Sequence, residues 1–294
     1  MNIDVLCVGH ASYDLIYSVD HHPLADEKIS ATGFVGMGGG PAANAAVTVA
    51  KLGFKAAYVG YLGLDIYGER HYQELLDSGV HSDLIIRGYF PTPLSTVLVK
   101  PNGQRALINY KGEAKALSAV AINFSSINPK VVLFDGHEPQ LSNALLESRQ
   151  KNTIISVLDA GSLHDGTLAL MHKVDYLVCS EKFAIQYAGT TEIALQRLAE
   201  LAPTVVITLG EKGLIWKHSQ EQGALSAFSV DSIDSTGAGD AFHGAFAAAL
   251  CAEMNWADIL RYASAAGAWC CTKLGARTGI PNHQEIQLLL NVTQ

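Results

Sequence analysis

The chain has 294 residues, of which 49% are hydrophobic and 16% are charged, and its formal net charge is −8. This composition excludes an intrinsically disordered chain, and the acidic balance argues against nucleic acid as the main partner. There is no run of about 20 apolar residues and no basic leader, so we expect neither a membrane span nor a signal peptide. The cysteines are odd in number and form no C-x-x-C pair, which favours a reducing cytoplasm over a disulfide framework.

The N-terminal part of the chain mixes buried strands with less regular segments. Asn102-Gly103 between two apolar runs is typical of a hairpin. In chain order, the sequence predicts strands at 3–8, 13–19 and 29–35, a helix at 41–52, a strand at 56–61, a helix at 68–78, and hairpin strands at 96–100 and 105–110.

From residue 131 onward, strand and helix patterns alternate. Continuous apolar runs such as Val131–Phe134 indicate strands that are buried on both faces, as in a parallel sheet. The predicted elements are strand 131–135, helix 139–151, strand 153–158, helix 165–173, strand 175–178, helices 181–188 and 191–201, strand 204–209, hairpin strands 212–217 and 224–228, and a mainly helical remainder. This alternation predicts a single three-layer α/β domain over residues 1–294.

Residues 234–242 read D-S-T-G-A-G-D-A-F and precede a helical run of small apolar residues. Residues without bulk allow backbone N–H groups to converge at a helix N-terminus, and that arrangement binds anions. Asp240 would stand there as a carboxylate that can take a proton from an attacking hydroxyl. Taken alone, the Gly-Ala-Gly turn could equally serve a close contact between a helix and a strand.

The pattern D-[ST]-T-G-A-G-D-x-F resembles the signature of the ribokinase family of carbohydrate kinases, also called the PfkB family. A second signature of that family, G-G-G-P-A-A-N-A-A, lies at residues 38–46, in the family's order. The resemblance implies a three-layer α/β/α ribokinase-like fold with a central, mainly parallel sheet and a small β-sheet lid. The lid strands would come from about residues 12–35 and 90–112. In the family the lid closes over the sugar, and in some members it forms a homodimer.

The resemblance also implies an activity, the transfer of the ATP γ-phosphoryl group to a hydroxyl of a small carbohydrate. Asp240 would be the catalytic base, and the backbone amides of Gly237, Ala238 and Gly239 would form the anion hole. The residues that would contact the nucleotide are Thr208, Gly210, Gly213, Thr236, Gly237 and Gly239. The sequence contains no G-x-x-x-x-G-K-[ST] loop, which excludes a Walker-type NTPase.

The acceptor needs hydrogen-bond partners for its hydroxyls, and carboxylates and carboxamides suit this because each makes two such bonds. By resemblance or by their place in the sequence, the candidates are Asp14, Gly39, Gly40, Asn44, Asn109 and Glu138. Structural roles remain possible for several of them. Asp14 could cap a loop, the glycines could form a flexible turn, and Asn44 could begin a helix.

The metal site departs from the family's N-x-x-E motif, because Ser180 and Phe183 stand where Asn and Glu are expected. Magnesium would then be held mainly by ATP phosphates and water. Glu181, which is out of register, and Asp234 are the candidate side-chain ligands. Positions that surround a potassium ion in some members are matched here by Asp234, Thr236, Gly275 and Gly279. Asp234 could instead cap the following turn.

Further segments, including G-A-R-T-G-I-P, resemble the branch of the family that contains ketohexokinase-like and sulfofructose kinase-like enzymes. An anionic acceptor would need a fixed cation, preferably arginine, and residues 134–138 contain no arginine. Lys111, Arg105 and His137 are the remaining candidate cations nearby, so a neutral sugar such as a ketohexose is favoured. A sulfosugar kinase, a non-catalytic binding protein, and a nucleoside kinase with Phe34 and Tyr110 stacked on the base remain alternatives. A dinucleotide-binding oxidoreductase is disfavoured, because Pro41 takes the sixth position of G-x-G-x-x-G.

Overall fold

The computed structural model describes residues 2–113, 115–148 and 154–292. The strands, in chain order, are β1 (Val5–Val8), β2 (Ser12–Ser18), β3 (Gly33–Gly39), β4 (Ala56–Val59), β5 (Tyr61–Gly63), β6 (Ile86–Gly88), β7 (Leu94–Val99), β8 (Arg105–Tyr110), β9 (Val131–Phe134), β10 (Ile155–Ala160), β11 (Tyr176–Ser180), β12 (Thr204–Thr208), β13 (Leu214–His218) and β14 (Glu221–Leu225). The helices are α1 (Pro41–Lys51), α2 (Ile66–Asp77), α3 (Pro139–Ser148), α4 (Asp165–Leu170), α5 (Glu181–Ala188), α6 (Thr191–Leu198), α7 (Ala238–Cys251), α8 (Trp256–Cys270), α9 (Ala276–Gly279) and α10 (His283–Val292). Among these described helices, none is long and apolar enough to cross a membrane. The end of the predicted helix 139–151 and the start of the predicted strand 153–158 lie outside the described residues.

Eight strands form one large sheet in the order β14-β13-β12-β11-β10-β9-β1-β4. The strands from β4 to β12 in this order run parallel, and β13 and β14 join them antiparallel, as the predicted hairpin. Every residue of β1 and β9 is buried. Because such strands have no polar face, their sequences are unbroken apolar runs. The predicted α/β/α architecture with a mainly parallel central sheet is confirmed.

Helices cover both faces of this sheet. Helices α1, α7, α8 and α10 pack on one face, against strand residues such as Val5, and α3, α4, α5 and α6 pack on the other, against residues such as Leu6. Helices α1 and α7 approach closely because Gly244 has no side chain: a Cβ there would lie 2.6 Å from Thr48 Cβ. This contact aligns the two helices whose first turns carry the two glycine-rich signatures.

Four strands form a second, smaller sheet in the order β3-β2-β7-β8. Its inner face brings Ile16, Met37, Val97 and Val99 together in a separate apolar cluster. Met37 also meets Gly275, where a Cβ would lie 2.7 Å from the Met37 Cε atom. The inner face is therefore turned toward the segment that leads into α9. This is the small sheet for which the family resemblance implies the role of a lid.

Strand β3 covers Gly33–Gly39 rather than the predicted residues 29–35. Its glycines show no alternation of polar and apolar side chains, so the sequence pattern favours a turn there. In the structure, side chains of the neighbouring strand fill the space. A Cβ on Gly36 would lie 3.0 Å from the Tyr13 ring, and one on Gly39 would lie 2.2 Å from the Asp14 carboxylate. The strand needs glycine because of what lies beside it.

The predicted strand 56–61 is divided at Gly60. Strand β4 ends before this residue, and β5 follows it and pairs with β6 in a two-stranded sheet that the sequence does not predict. A Cβ on Gly60 would lie 1.9 Å from the Tyr58 hydroxyl oxygen. The Tyr58 hydroxyl donates to the Gly9 carbonyl at 2.8 Å. Glycine at position 60 leaves room for this hydroxyl, which in turn holds the end of β1.

Candidate active site

Helix α7 begins directly after the T-G-A-G-D motif. Gly237 caps it with a left-handed backbone (φ 79°), and a Cβ on this residue would lie 2.5 Å from Ala276 Cβ. The first N–H groups of a helix have no partner inside it and form the positive end of its dipole. The Ala238 N–H is partly used, since it donates to the Ser235 carbonyl at 3.3 Å. Of the predicted anion hole, the N–H groups of Gly237 and Gly239 are thus the better donors.

Asp240 stands in the first turn of α7 and is partly exposed. Its Oδ2 atom accepts a hydrogen bond from Nδ2 of Asn44 at 2.7 Å. Burial raises the pKa of Asp240, while the bond from Asn44 and the charge of His243 act in the opposite direction. Because Asn44 belongs to the second signature and lies in α1, the structure joins the two motifs that the sequence singles out.

A buried arginine, Arg277 in α9, holds the other end of the Asn44 amide. Its Nε donates to Asn44 Oδ1 at 2.7 Å, and its Nη2 lies 2.7 Å from His71 Nε2 in α2. Burial lowers the pKa of Arg277 to about 10, and the carboxylates of Glu74 and Asp14 oppose this shift. Sequence patterns do not reveal this role, because the arginine appears only as one letter of G-A-R-T-G-I-P.

Asp14 lies on the inner face of the small sheet and is buried. Ser12 Oγ donates to its Oδ1 at 2.8 Å. Burial raises the pKa of Asp14 to about 6; the Ser12 bond lowers it, and the charge of Asp240 raises it further. Asp14 is paired in register with Ser95, and Ser95 with Asn109, so their side chains share one face. The structure thus brings the predicted residues Asp14 and Asn109 to the same surface.

If Asp14 binds the acceptor, as the resemblance implies, the Michaelis constant for the acceptor should rise steeply as the pH falls below about 6. Protonated Asp14 can no longer accept two hydrogen bonds from hydroxyls, and because its pKa is raised, this loss begins close to neutrality. Initial rates over about pH 5 to 8 would measure the effect. An Asp14→Asn variant cannot ionise, so its Michaelis constant should be high and insensitive to pH. A flat wild-type profile below pH 6 would contradict the role of Asp14.

Asp135, which the sequence patterns do not single out, ties three segments together. Its Oδ2 accepts bonds from the N–H groups of His10 at 2.7 Å and Ala42 at 3.2 Å, and its Oδ1 accepts one from His137 at 2.9 Å. Burial alone would raise the pKa of Asp135, but the charge of His137 and these hydrogen bonds outweigh it and lower the pKa to about 2. Asp135 therefore fixes the loop after β1 against the start of α1.

A cavity of about 210 Å³ opens where β1 and β9 end, and Glu138 lies in its wall. Glu138 accepts a hydrogen bond from the Leu117 N–H. Burial raises the pKa of Glu138 to about 7. Ala11 also lines the cavity and packs on the second signature, since a Cβ on Gly40 would lie 2.6 Å from Ala11 Cα. Glu138 thus lines this cavity, whereas Gly40 contacts only a residue of its wall.

The predicted nucleotide segment lies where β12 ends. Thr208 pairs in register with Ser180 of β11, so both stand at the carboxyl edge of the sheet. Gly210 and Gly213 have positive φ angles, and a Cβ on Gly213 would lie 2.0 Å from the Leu225 carbonyl oxygen. The turn therefore requires glycine at position 213 for steric reasons, whether or not it contacts a nucleotide.

The small sheet reaches the T-G-A-G-D motif through Arg105 of β8, whose Nη1 donates to Thr236 Oγ1 at 2.7 Å. The Thr236 hydroxyl and N–H donate in turn to Asp234 Oδ1 at 2.7 and 2.9 Å. The other Asp234 oxygen accepts a bond from the Gly275 N–H at 2.8 Å. The guanidinium of Arg105, from the small sheet, is thereby held next to the N-terminus of α7.

Comparison with known proteins decides the family. The profile described as pfkB family carbohydrate kinase matches residues 2–283. The chain belongs to the pfkB family of carbohydrate kinases. Ribokinase of Bacillus subtilis (strain 168) is 27% identical over 98% of this chain and 99% of its own length. Fructokinase of Solanum tuberosum is 28% identical over 97% and 95%. The structure of Arabidopsis thaliana ribokinase complexed with ribose and ATP matches with a TM-score of 0.84, at 26% identity over 99% of each chain.

Family, fold and enzyme class are therefore confirmed as the motifs predict them. This family member is an ATP-dependent carbohydrate kinase, and the relatives to which it is similar are sugar phosphotransferases. The large, mostly parallel sheet with a small separate sheet is the architecture shared with the ribokinase structure. The roles of individual site residues remain predictions, supported by the geometry described above.

The two predicted side-chain ligands for magnesium, Glu181 and Asp234, both have other partners in the structure. Within the described ranges, no group of three His, Cys, Asp or Glu side chains is placed to hold a metal ion. Glu181 forms an ion pair with Lys212 at 3.2 Å. Both carboxylate oxygens of Asp234 already accept hydrogen bonds. As metal ligands, Glu181 and Asp234 would have to exchange these partners, and they stay predictions.

Proposed function

We propose that this kinase transfers the γ-phosphoryl group of ATP to a hydroxyl of a small sugar, with Asp240 as the general base. The observation that carries the proposal is the hydrogen bond from Asn44 to Asp240, which joins residues 196 positions apart in the sequence. It supports a site in which this carboxylate would stand between the N-terminus of α7 and the acceptor. Relatives named ribokinase and fructokinase, and a related structure with ribose and ATP, support a sugar as the acceptor.

Each part of this site has a defined task in the proposed reaction. Asp240 Oδ2 is held by Asn44, and no described residue donates a hydrogen bond to Oδ1, so Oδ1 is free to take the proton of the attacking hydroxyl. The N–H groups of Gly237 and Gly239, with the α7 dipole, would stabilise charge on the transferring group. Mg²⁺ on the phosphates would neutralise part of that charge.

The acceptor would lie between Asp240 and the inner face of the small sheet. Asp14 and Asn109 offer hydrogen bonds from that face. Gly39 leaves room for the Asp14 carboxylate, because a Cβ there would overlap it. A ketohexose is the first acceptor to test, since the relatives include a fructokinase and residues 134–138 contain no arginine for an anionic group. On the nucleotide side we retain Thr208, Gly210, Gly213 and Thr236.

The nucleoside alternative is weakened by the position of the two aromatic residues that would stack on a base. Phe34 pairs with Tyr17, and Tyr110 pairs with Leu94. Successive residues of a strand point to opposite faces of a sheet, and Phe34 and Tyr110 occupy the positions between those of the inner face. Their side chains therefore point away from Asp14. A base held at Asp14 would not meet these rings, which supports a sugar over a nucleoside.

The test is ADP release by the purified protein with ATP, Mg²⁺ and a panel of ketoses, aldoses, sulfosugars and nucleosides. We expect a ketose to give the highest kcat/KM. Preference for a nucleoside would overturn the sugar assignment. If no compound in the panel led to ADP release, the protein would instead be a non-catalytic binding protein. Repeating the assay with and without potassium would test the monovalent cation predicted near Asp234 and Gly275.

The outer face of the small sheet supports a homodimer formed through the lid. Phe34 and Ile108 are 62% and 67% exposed there, and with Tyr110 they make an apolar surface. Ile108→Lys should convert a wild-type dimer to a monomer, because the charged lysine side chain would be buried away from water in the interface with a second copy. Val120→Lys, at a position that is 88% exposed outside this sheet, is the matched control. Light scattering gives both masses, and a monomeric wild type would refute the dimer.

A cytoplasmic location is also part of the proposal. All five cysteines are free thiols, and those other than Cys271 are buried. Such thiols persist in a reducing compartment. The expected partners there are the sugar and ATP.

A further inference from the structure

A row of hydrogen bonds links α2, α9, α1 and α7 and ends on the proposed base. Nη2 of Arg277 lies 2.7 Å from Nε2 of His71. Nε of Arg277 donates to Asn44 Oδ1 at 2.7 Å, and Asn44 Nδ2 donates to Asp240 Oδ2 at 2.7 Å. His71, Arg277 and Asn44 are buried, whereas Asp240 at the end of the row is partly exposed.

The order of donors and acceptors in this row fixes how Asn44 is turned. An asparagine amide can present its oxygen or its NH₂ group to a neighbour, and both orientations fill the same space. Arginine has donors only, so Arg277 can bond Asn44 only through the oxygen. The NH₂ group is then directed at Asp240, where it meets an acceptor. With the amide reversed, two oxygens would face each other.

His71 restrains the guanidinium from the other side. Because Nη2 of Arg277 donates, His71 Nε2 must accept, which requires a neutral ring. Burial and then the charge of Arg277 lower the pKa of His71 well below its usual value, which agrees with that state. A Cβ on Gly38 would lie 2.4 Å from His71 Cδ2, so the ring is wedged against β3 and cannot turn freely.

Charges from several elements act on the row. Burial lowers the pKa of Arg277 only to about 10, with Glu74, Asp14 and Asp240 opposing the shift, so the guanidinium is a cation at neutral pH. The charges that act on Asp240 come from its own helix, from the segment after β9, and from β8; these are His243, Asp135 and Arg105.

We propose that Arg277 is a positioning residue for Asp240 and acts through the amide of Asn44. It sets which end of the amide faces the carboxylate, so that Oδ2 is held and Oδ1 is turned toward the acceptor hydroxyl. The inference rests on the proposed function, which assigns Asp240 as the base. It gives Arg277 no contact with sugar or ATP.

Arg277→Met removes every donor of the side chain and retains much of its length. We expect kcat to fall by about 10- to 100-fold, the effect of losing a hydrogen bond to a charged group. The Michaelis constant for ATP should stay within about 2-fold, because the lost contact serves the chemical step. The acid limb of the kcat–pH profile should move to higher pH, because the Asn44 amide is no longer held with its NH₂ group toward Asp240, and that donor favours the charged form of the carboxylate.

A double-mutant cycle separates positioning from a general structural effect. If Arg277 acts through Asn44, adding Arg277→Met to Asn44→Ala should lower kcat no further. Losses that multiply in the double variant, or an Arg277→Met profile with an unmoved acid limb, would overturn the inference. Lys51→Met is the control, because Lys51 donates to the Arg277 and Ile280 carbonyls at 3.3 and 3.1 Å. It supports the same helix without touching Asn44, and its kcat and pH profile should match wild type.

Asp240→Asn, assayed in parallel, distinguishes failure of this inference from failure of the proposed function. If that variant turns over normally, the assignment of the base is wrong. If it is inactive while Arg277→Met is fully active, only the positioning role is wrong. Should thermal unfolding show that Arg277→Met does not fold, Arg277→Lys enters the same cycle. Lysine keeps the charge but does not reproduce the planar fork that bonds Asn44 and His71 together, so smaller losses in the same direction are expected.

Discussion

Asp240→Asn should lower kcat by at least about 100-fold, the lower range for loss of a general base. Asparagine has the same shape, and its amide oxygen can still accept the hydrogen bond from Asn44, so α7 should begin as before. An amide cannot take the proton of the acceptor hydroxyl, and the loss therefore falls on the chemical step. ATP affinity, measured by titration calorimetry, should stay within about 3-fold of wild type.

Asp258→Asn is the matched control for that experiment. Asp258 stands in the first turn of α8 as Asp240 does in α7, so its replacement makes the same change of charge at a helix N-terminus. Its kcat should equal that of wild type. If Asp240→Asn also turned over near the wild-type rate, Asp240 would have no part in proton transfer, and another base would have to be sought.

Gly237→Ala should cost about 100-fold or more in kcat, as does loss of one donor in an oxyanion hole. The new Cβ would lie 2.5 Å from Ala276 Cβ, so either the first turn of α7 or helix α9 has to move. The N–H groups that we propose to face the transferring phosphoryl group would move with it. Steady-state kinetics on protein confirmed as folded by circular dichroism would measure the loss.

Gly53→Ala separates that clash from simple backbone strain. Gly53 also has a positive φ, of 90°, but a Cβ on this residue would meet no atom within 4 Å. Both variants carry about 1 kcal/mol of left-handed backbone cost. Gly53→Ala should therefore lose some thermal stability and keep its kcat. Equal activity of the two variants would show that the geometry around Gly237 does not limit the reaction.

Much of the fold follows from local patterns. The buried run Val131–Phe134 predicts a central parallel strand, and the structure confirms it as β9. Strand β3 illustrates what local patterns miss. Its glycines carry no alternating signal, and the need for them comes from Tyr13 and Asp14 on the neighbouring strand. Such a requirement is set by tertiary contacts and cannot be read along the chain.

The candidate site divides in the same way. Asn44 and Asp240 stand in the two signatures and Asp14 matches the family by resemblance, which predicts that they share one site. Arg277 and Asp135 act through partners far away in the sequence. The sequence around a charged residue does not show whether its side chain will be buried or which group will form a hydrogen bond with it. These two residues could be found only from the folded structure.

Helix α7 packs against both α1 and α8, and it carries the carboxylate that Asn44 of α1 holds. During translation, α1 and the strands of the large sheet are synthesised before α7. Until then, the side of α1 that contacts α7 stays exposed, and apolar surface of this kind makes an incomplete chain prone to aggregation. Under the proposed function, a chain that has been translated only as far as β14 lacks the proposed base, and we expect it to transfer no phosphoryl group.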